Sequence, residues 1–167
     1  MPPRGLRLML GALGLVLAAR AAGAQSAPPG KLAASIARLF GPGVGVDTLR
    51  VDSGAVLRVS RGDSLLGFAA VTNVIGKDQP ITLLVAVDPE DRLKDVDILV
   101  YREPYGGEVA YDVWRRQFRG KSAADSLRVG REIRNISGAT ISVHAVTLGV
   151  KRLLADLTRW HHTGAIR

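Results

Sequence analysis

The spacing of apolar residues changes along the chain from helical to strand-like and back to helical. In residues 31–40 apolar side chains recur at intervals of three and four, which predicts a short amphipathic helix. Gly41, Pro42 and Gly43 follow directly, and glycine and proline at this position end a helical pattern. The first element of the folded region is therefore predicted to be a helix.

Five short apolar runs come next, and Gly, Asp, Pro and Ser residues separate them. The runs cover residues 44–51, 55–59, 65–71, 81–87 and 96–101. Such runs between turn-forming residues predict an antiparallel sheet that meanders from one strand to the next. In the last run Val96, Ile98 and Val100 alternate with two aspartates and Leu99, so this strand is expected to have one apolar and one mostly polar face.

Helical spacing returns in the last third of the chain. Residues 109–118 fit a helix with Val113, Trp114 and Phe118 on its apolar side and residues 115–117 facing outward. Ser122 and Asp125 have the spacing of a capping box, which predicts a second small helix.

The longest helical pattern runs from residue 141 to residue 160, where apolar residues recur at every third or fourth position. Thr140 stands at or near the N-cap of this helix. Strands followed by helices, without regular βαβ alternation, favour the α+β class. The predicted fold is an antiparallel β-sheet meander flanked by helices, with a long C-terminal helix.

The first 24 residues have the layout of a secretory signal. Arg4 and Arg7 precede a short apolar stretch, and Ala22-Gly23-Ala24 offers the small residues that a signal peptidase requires. The stretch is shorter than the roughly 20 residues that span a bilayer, which favours a cleaved signal. An uncleaved membrane anchor is the alternative. We therefore predict a signal peptide at 1–24, a flexible tether at 25–30, one domain at 31–160 and a C-terminal tail at 161–167. The expected location is the periplasm, free or associated with the inner membrane.

Composition narrows the possible chemistry. The chain has no cysteine, which excludes disulfides, thiol redox chemistry and thiolate-ligated iron–sulfur clusters. Loss of residues 1–24 removes three arginines and no acid, so the formal net charge falls from +8 to +5. This moderate excess is compatible with an anionic cofactor, anionic lipid or an acidic partner, and it selects none of them.

The segment from Asn135 to Thr140 (NISGAT) stands immediately before the long helix and admits two interpretations. Ser and Thr are favoured helix caps, so a plain capped helix start would account for the segment. The same helix end offers unpaired N–H groups and a positive dipole, which together stabilise a phosphate. Gly138 and Ala139 are small enough to let the backbone approach a bulky group.

Residues 137–142 (SGATIS) resemble the S-G-A-T-x-[ST] signature of the FMN-binding domain family. That family includes the C subunit of sodium-translocating NADH:quinone reductase and the G subunit of the ferredoxin:NAD oxidoreductase complex. Residues 76–87, 96–109 and 118–121 are also similar to small exported members, so the resemblance extends over roughly residues 31–158.

The resemblance implies an electron-transfer domain with a covalent FMN. In the family a flavin transferase joins the FMN phosphate to the motif threonine, which corresponds to Thr140 here. The motif neighbours are then expected to bind the cofactor: Ser137, Gly138, Ala139, Ile141 and Ser142. Three residues before the serine the family pattern has Asp and this chain has Arg134, so non-covalent FMN at the same site is the alternative. An electron donor and an electron acceptor would complete the partners, and a membrane redox complex is a candidate source of both.

The loop after the fifth strand run is a second candidate for cofactor contacts. Gly106 and Gly107 permit close backbone approach to a flat ligand, and Tyr105 could stack on it. Arg102 could offset the negative charge of phosphate or reduced flavin. Lys121 of the 118–121 segment is also expected to bind the cofactor. An ordinary surface turn is the alternative for this loop.

Other functions receive less support from the residues. A non-redox periplasmic module that binds an anionic ligand or a membrane surface is the main competitor. A hydrolase would need Ser137 and His144 as nucleophile and base, but no oxyanion signature accompanies them. His144, His161 and His162 lack the spacing of a metal site. The basic stretch at 114–121 is better explained as a solvated helix face than as a nucleic-acid surface.

Overall fold

The computed structural model describes residues 27–51 and 54–167. The predicted signal peptide and the first two residues of the predicted tether lie outside the described residues. The tether prediction ends later than the structure allows, because Pro29 and Gly30 already belong to helix α1, Pro29–Phe40. Proline is well suited to the first turn of a helix, where its missing N–H would have no partner.

The sheet has five antiparallel strands in the order in which they occur in the chain. They are β1, β2, β3, β4 and β5, at Gly45–Val51, Gly54–Arg61, Ser64–Ile75, Pro80–Val87 and Leu93–Val100. Each strand pairs with the next, which confirms the predicted meander. Together with the flanking helices it confirms the predicted α+β class.

Helices cover both faces of this sheet. Helix α3, Thr140–His162, packs on one face, and α1 packs on the other. Strand β4 is therefore buried on both sides: Leu83 and Val85 pack in the α3 core, whereas Leu84 and Ala86 pack in the α1 core. This explains why the β4 sequence is continuously apolar rather than alternating.

Helix α3 lies very close to the sheet at Gly149. A Cβ atom at this position would come within 2.3 Å of Val74 Cγ1 on β3, so only glycine fits this crossing. The helix also runs past the predicted boundary at Trp160. His161 and His162 form its last turn and contact the carboxylate of Asp91 at 2.8 and 2.9 Å. Beyond the helix Ile166 is fully buried, so the predicted tail packs with the domain core.

Strand β5 differs from its predicted alternation. Register shifts occur along its pairing with β4, and Val100 packs in the α1 core with Leu99, whereas Ile98 packs in the α3 core. The expected polar face is not solvated either, because Asp95 is 2% exposed beneath α1. Its carboxylate lies 3.2 Å from Arg38 Nη1 of α1.

The predicted helix at 109–118 is divided into three short pieces. A 3-10 turn covers Gly107–Ala110, α2 covers Asp112–Arg115, and a second 3-10 turn covers Arg116–Phe118. Trp114 and Phe118 are buried as expected, but Val113 is exposed and Arg115 is buried, the reverse of the prediction.

The edge of the sheet accounts for this reversal. Strand β5 is an edge strand, and its unpaired backbone groups need partners. Arg115 donates to the Val96 carbonyl, and the backbone of Leu93 pairs with Gly120 and Lys121. Residues 107–121 therefore close the edge of the sheet rather than forming one regular helix.

The second small helix predicted at Ser122 does not form. Its capping contacts are present, since Asp125 Oδ2 accepts hydrogen bonds from Ser122 N at 2.8 Å and from Ser122 Oγ at 2.9 Å. A turn follows instead, and Leu127 adopts a positive φ of 48°, which a continuing helix does not allow.

None of the helices within residues 27–51 and 54–167 is long and apolar enough to cross a membrane.

Candidate functional site

A cavity of about 330 Å³ opens where the loop after β5 meets the first turn of α3. Three segments form its walls: the turn between β3 and β4, the loop after β5, and the start of α3. Its lining residues are Lys77, Asp78, Glu103, Pro104, Tyr105, Gly138, Ala139, Thr140, Ile141 and Ser142.

The Thr140 side chain is exposed in this cavity and does not cap the helix. Thr140 is the first residue of α3, and Ala139 is the N-cap. The Thr140 hydroxyl accepts a hydrogen bond from Asn135 Nδ2 at 3.2 Å. A capping threonine would instead accept a bond from the N–H of the first turn. The plain-cap interpretation of the segment therefore does not hold.

The positive end of α3 faces the cavity. No side chain of the described residues caps this helix end. The first N–H groups of this 23-residue helix therefore have no side-chain acceptor, and they belong to the helix end that lines the cavity. Gly138 has a φ of +83° and no atom within 4 Å of where its Cβ would be, so the loop leaves room in front of this helix end.

A tyrosine joins the loop after β5 to the helix. The Tyr101 hydroxyl contacts Ser142 Oγ at 2.8 Å and donates to the Tyr105 carbonyl. Burial raises the pKa of Tyr101 and the charges of Glu103 and Glu108 raise it further, while the bond to Ser142 opposes them. The phenol is therefore protonated at neutral pH and serves as a permanent donor.

Gly106 lies directly behind this contact. Its φ is +85°, and a Cβ atom would come within 2.7 Å of Tyr101 Oη and 2.9 Å of Ser142 Oγ. Glycine is required here both for the backbone conformation and for the close approach of the loop to α3.

Glu103 holds the β3–β4 turn against the cavity. Its Oε1 accepts hydrogen bonds from the backbone N–H of Asp78 at 2.7 Å and of Gln79 at 2.9 Å. These backbone donors lower the pKa of Glu103, which keeps the carboxylate ionised. A Cβ at Gly76 would come within 2.5 Å of Glu103 Oε1, so glycine permits this contact.

The loop before α3 is held from the other side by residues of the 107–118 segment. Trp114 Nε1 donates to the Arg134 carbonyl at 2.8 Å, and Gln117 Oε1 accepts from the Arg134 N–H at 2.7 Å. The Arg134 backbone is thus fixed at both of its polar groups, and its side chain remains exposed.

The structure brings most of the predicted site residues together. Gly138, Ala139, Thr140, Ile141, Ser142 and Tyr105 line the cavity. Gly106 supports it from behind, Gly107 begins the adjacent 3-10 turn, and Ser137 is exposed on the entering loop. His144 lines a neighbouring hollow instead of this cavity.

Two predicted cations are placed elsewhere. Arg102 Nη1 donates to the Pro80 carbonyl at 2.9 Å and contacts Thr82 Oγ1 at 3.1 Å, which anchors it to β4. Lys121 Nζ lies 3.7 Å from Asp125 and 3.8 Å from Glu132. Both charges are engaged by other parts of the fold.

Sequence reasoning missed several residues that shape the cavity. Lys77, Asp78 and Glu103 line it, while Asn135 and Tyr101 fix its polar groups. The similarity of residues 76–87 to the family pointed to the β3–β4 turn, but nothing in that segment alone indicated which side chains reach the helix.

Comparison with known proteins shows which family the cavity-forming region resembles. Residues 76–155 match the FMN-binding domain model, and they include the β3–β4 turn, the loop after β5 and most of α3. This segment belongs to the FMN-binding domain family. The FMN-binding domain thus contains every residue that lines the cavity.

A curated relative of the FMN-binding domain supports the same conclusion. Over 106 residues the chain is 32% identical to the G subunit of the proton-translocating ferredoxin:NAD(+) oxidoreductase complex of Clostridium ljungdahlii. The match covers 59% of this chain and 57% of the clostridial protein, so the chain spans little more than half of the relative's length.

The residues present fit an FMN. The cavity is at the lower end of the range of volumes of ligand sites, which run from roughly 300 to 1,000 Å³. An uncapped helix N-terminus suits the phosphate, and the apolar and aromatic side chains of Ile141 and Tyr105 suit a flat ring.

Proposed function

We propose that this protein is an exported electron-transfer flavoprotein whose FMN is attached through its phosphate to Thr140 Oγ. The observation that carries the proposal is the placement of the Thr140 hydroxyl, which is exposed to the cavity and is not used as a helix cap. A hydroxyl in this position is available for esterification.

The start of α3 would stabilise the attached phosphate. The uncapped N–H groups of the first turn provide hydrogen-bond donors, and the helix dipole favours negative charge at this end. Asn135, which donates to Thr140 Oγ1, would keep the threonine side chain oriented toward the cavity.

The remaining walls would position the ring. Tyr105 and Ile141 are both exposed at the cavity, at 82% and 53%, and a ring seated there would cover apolar surface that now faces solvent. Lys77 is the cation among the lining residues and would offset negative charge on the reduced cofactor. When bound, FMN supplies the electron chemistry, while the protein supplies orientation and electrostatics.

Covalent attachment suits a protein outside the cytoplasm. A site that binds its cofactor reversibly is filled only to the extent that the free cofactor concentration exceeds the dissociation constant. A covalent bond removes this dependence. We propose a flavin transferase as the maturation partner, and an electron donor and acceptor in a membrane redox complex. The clostridial relative is a subunit of an oxidoreductase complex that translocates protons, which supports this last point.

Intact mass and in-gel flavin fluorescence test the proposal. The exported wild type, Thr140→Ala and the matched control Thr48→Ala, which changes an exposed threonine on β1, are each co-expressed with a flavin transferase. We expect an adduct of FMN minus one water in the wild type and in Thr48→Ala, and none in Thr140→Ala.

Arg134→Asp separates the covalent and non-covalent alternatives. It restores the residue that the family pattern has at this position, and we expect at least as much adduct as in the wild type. Flavin that co-purifies but is lost on denaturation in all variants would favour non-covalent FMN. No adduct and no retained flavin in any variant would reject the flavoprotein and favour the non-redox binding module.

A further inference from the structure

One row of residues on α3 links three neighbouring hollows. Ile141 borders both the cavity at Thr140 and a second hollow of about 550 Å³. Ala145 and Leu148 border the second hollow and a third of about 510 Å³. Residues four and three positions apart lie on the same side of a helix, so these three residues form one row, which we call the α3 stripe.

Exposed apolar surface is concentrated around this stripe. Leu148 is 48% exposed, and Ile75 at the end of β3 is 67% exposed and borders the third hollow. Ile141 and Tyr105 continue the same surface to the mouth of the cavity. Contiguous exposed apolar surface on a folded domain marks a site of interaction.

Three cations border the stripe. Arg128 and Lys151 line the second hollow, Arg152 lines the third, and all three are exposed. Within residues 27–51 and 54–167 none of them is in an ion pair, and Lys151 Nζ contacts only the Ser126 carbonyl, at 3.0 Å. Asp156, the acid in the third hollow, already pairs with Arg159 at 2.8 Å. The rim is therefore positively charged.

We propose that the α3 stripe and these three cations dock an acidic electron-transfer protein, whose contact surface has an apolar patch bordered by carboxylates. The inference rests on the proposed function, because the stripe begins beside Thr140. Leu148 lies eight positions after Thr140, a distance of about 12 Å along α3. A protein seated on the stripe lies next to the cavity mouth and can exchange electrons with the flavin.

The shape of the surface favours a protein over a membrane. The stripe is a ridge between two hollows, and side chains of a partner protein can enter both of them. The flat surface of a bilayer would leave the hollows unfilled.

Stopped-flow reduction of the flavin-loaded protein tests the docking. The probe is an acidic plant-type [2Fe–2S] protein in its reduced form, which gives one electron to the flavin and is itself oxidised. Arg152→Glu and Leu148→Asp are compared with Arg50→Glu and Val46→Asp. The two control residues are exposed on β1 and alternate with Leu49 and Val51, which pack in the α3 core, so they face away from α3.

We expect the second-order rate of the wild type to fall with salt, and to fall about tenfold or more in Arg152→Glu and Leu148→Asp. The controls keep the wild-type rate, and dithionite, a small reductant, reduces all five proteins equally. Equal rates for stripe and control variants would overturn the docking surface. Loss of binding to vesicles of anionic lipid in the stripe variants, with unchanged reduction by the [2Fe–2S] protein, would overturn it in favour of a membrane.

A binding titration separates this inference from the proposed function. Thr140→Val cannot carry the phosphoester but keeps the whole stripe, so it should bind the oxidised [2Fe–2S] protein as tightly as the wild type does. Arg152→Glu should carry flavin and bind more weakly. Absence of flavin from the wild type with normal binding contradicts only the proposed function, whereas normal flavin with equal binding of all variants contradicts only the docking surface.

Discussion

The Tyr101 hydroxyl lies 2.8 Å from Ser142 Oγ, and this contact links the end of the sheet to the first turn of α3. A phenol has one proton, and Tyr101 donates it to the Tyr105 carbonyl. Ser142 is therefore the donor in the contact between the two side chains. The hydrogen bonds hold the loop after β5 against the helix start, which is the geometry that forms the cavity.

Tyr101→Phe should open this junction without changing the size of the ring. The change leaves the buried Ser142 hydroxyl and the Tyr105 carbonyl without their partner. We expect the free energy of unfolding to fall by about 1–3 kcal/mol. Urea denaturation measures this, and Tyr111→Phe, which changes an exposed tyrosine, is the control. Equal losses in both variants would show that the hydroxyl contacts are not what joins the two elements.

Gly106→Ala and Gly138→Ala form a matched pair at the cavity. Both glycines have a positive φ, +85° and +83°, so both variants bear backbone strain of about 1–2 kcal/mol. Only at Gly106 would the new methyl group clash, with Tyr101 Oη and Ser142 Oγ. We expect Gly106→Ala to lose markedly more stability and more retained flavin than Gly138→Ala. Similar melting temperatures and flavin contents in the two would contradict the tight approach of the loop to α3.

The site could be predicted from sequence where its residues are contiguous. Residues 138–142 form one helix start, so a local motif identifies them. Lys77 and Glu103 reach the same cavity from separate elements, because the β3–β4 turn and the loop after β5 meet only through the register of the sheet. No local pattern encodes that register, and two other cations, Arg102 of the loop after β5 and Lys121, were expected at the site instead.

Prediction of the fold is likewise limited to what local sequence patterns encode. The five strands and the C-terminal helix α3 were predicted correctly. Each of them depends on the local spacing of apolar and turn-forming residues. Arg115 was expected to face outward, but it is buried because it pairs with Asp97 of β5, 3.2 Å away. An ion pair between remote segments leaves no periodic signal in either of them.

Glu103 should make stability depend on pH. Its pKa is lowered from 4.5 by the N–H groups of Gln79 and Asp78, so the ionised form stabilises the fold. A lowered pKa in the folded state contributes stability above the unfolded pKa, and this contribution is lost as the pH falls through the folded value. We expect Glu103→Gln to be less stable than the wild type at neutral pH and equally stable in acid, below the lowered pKa. Urea titrations across this range check it, and a pH-independent difference would contradict the role of the charge.

Arg115→Met should be the most destabilising of these changes. Arg115 is 7% exposed, lies 3.2 Å from Asp97 and donates to the carbonyls of Ala110 and Val96. Methionine fills a similar volume but leaves Asp97 and the edge of β5 with fewer partners. Breaking a buried ion pair by removing one member costs about 3–5 kcal/mol, and urea denaturation should show a loss of this size.

The neighbouring Arg116→Met provides the control, because Arg116 is exposed and should tolerate the change with little loss. Acid adds a second test. The pKa of Asp97 is lowered despite its burial, through hydrogen bonds from Ser35 and Arg38 and through the charge of Arg115. Without Arg115 the carboxyl should ionise at higher pH, so the variant should lose less stability than the wild type on acidification. Asp95 also has a partner in Arg119 Nη2, at 3.0 Å. An Arg115→Met protein as stable as Arg116→Met would show that α1 and Arg119 suffice to hold Asp95 and Asp97.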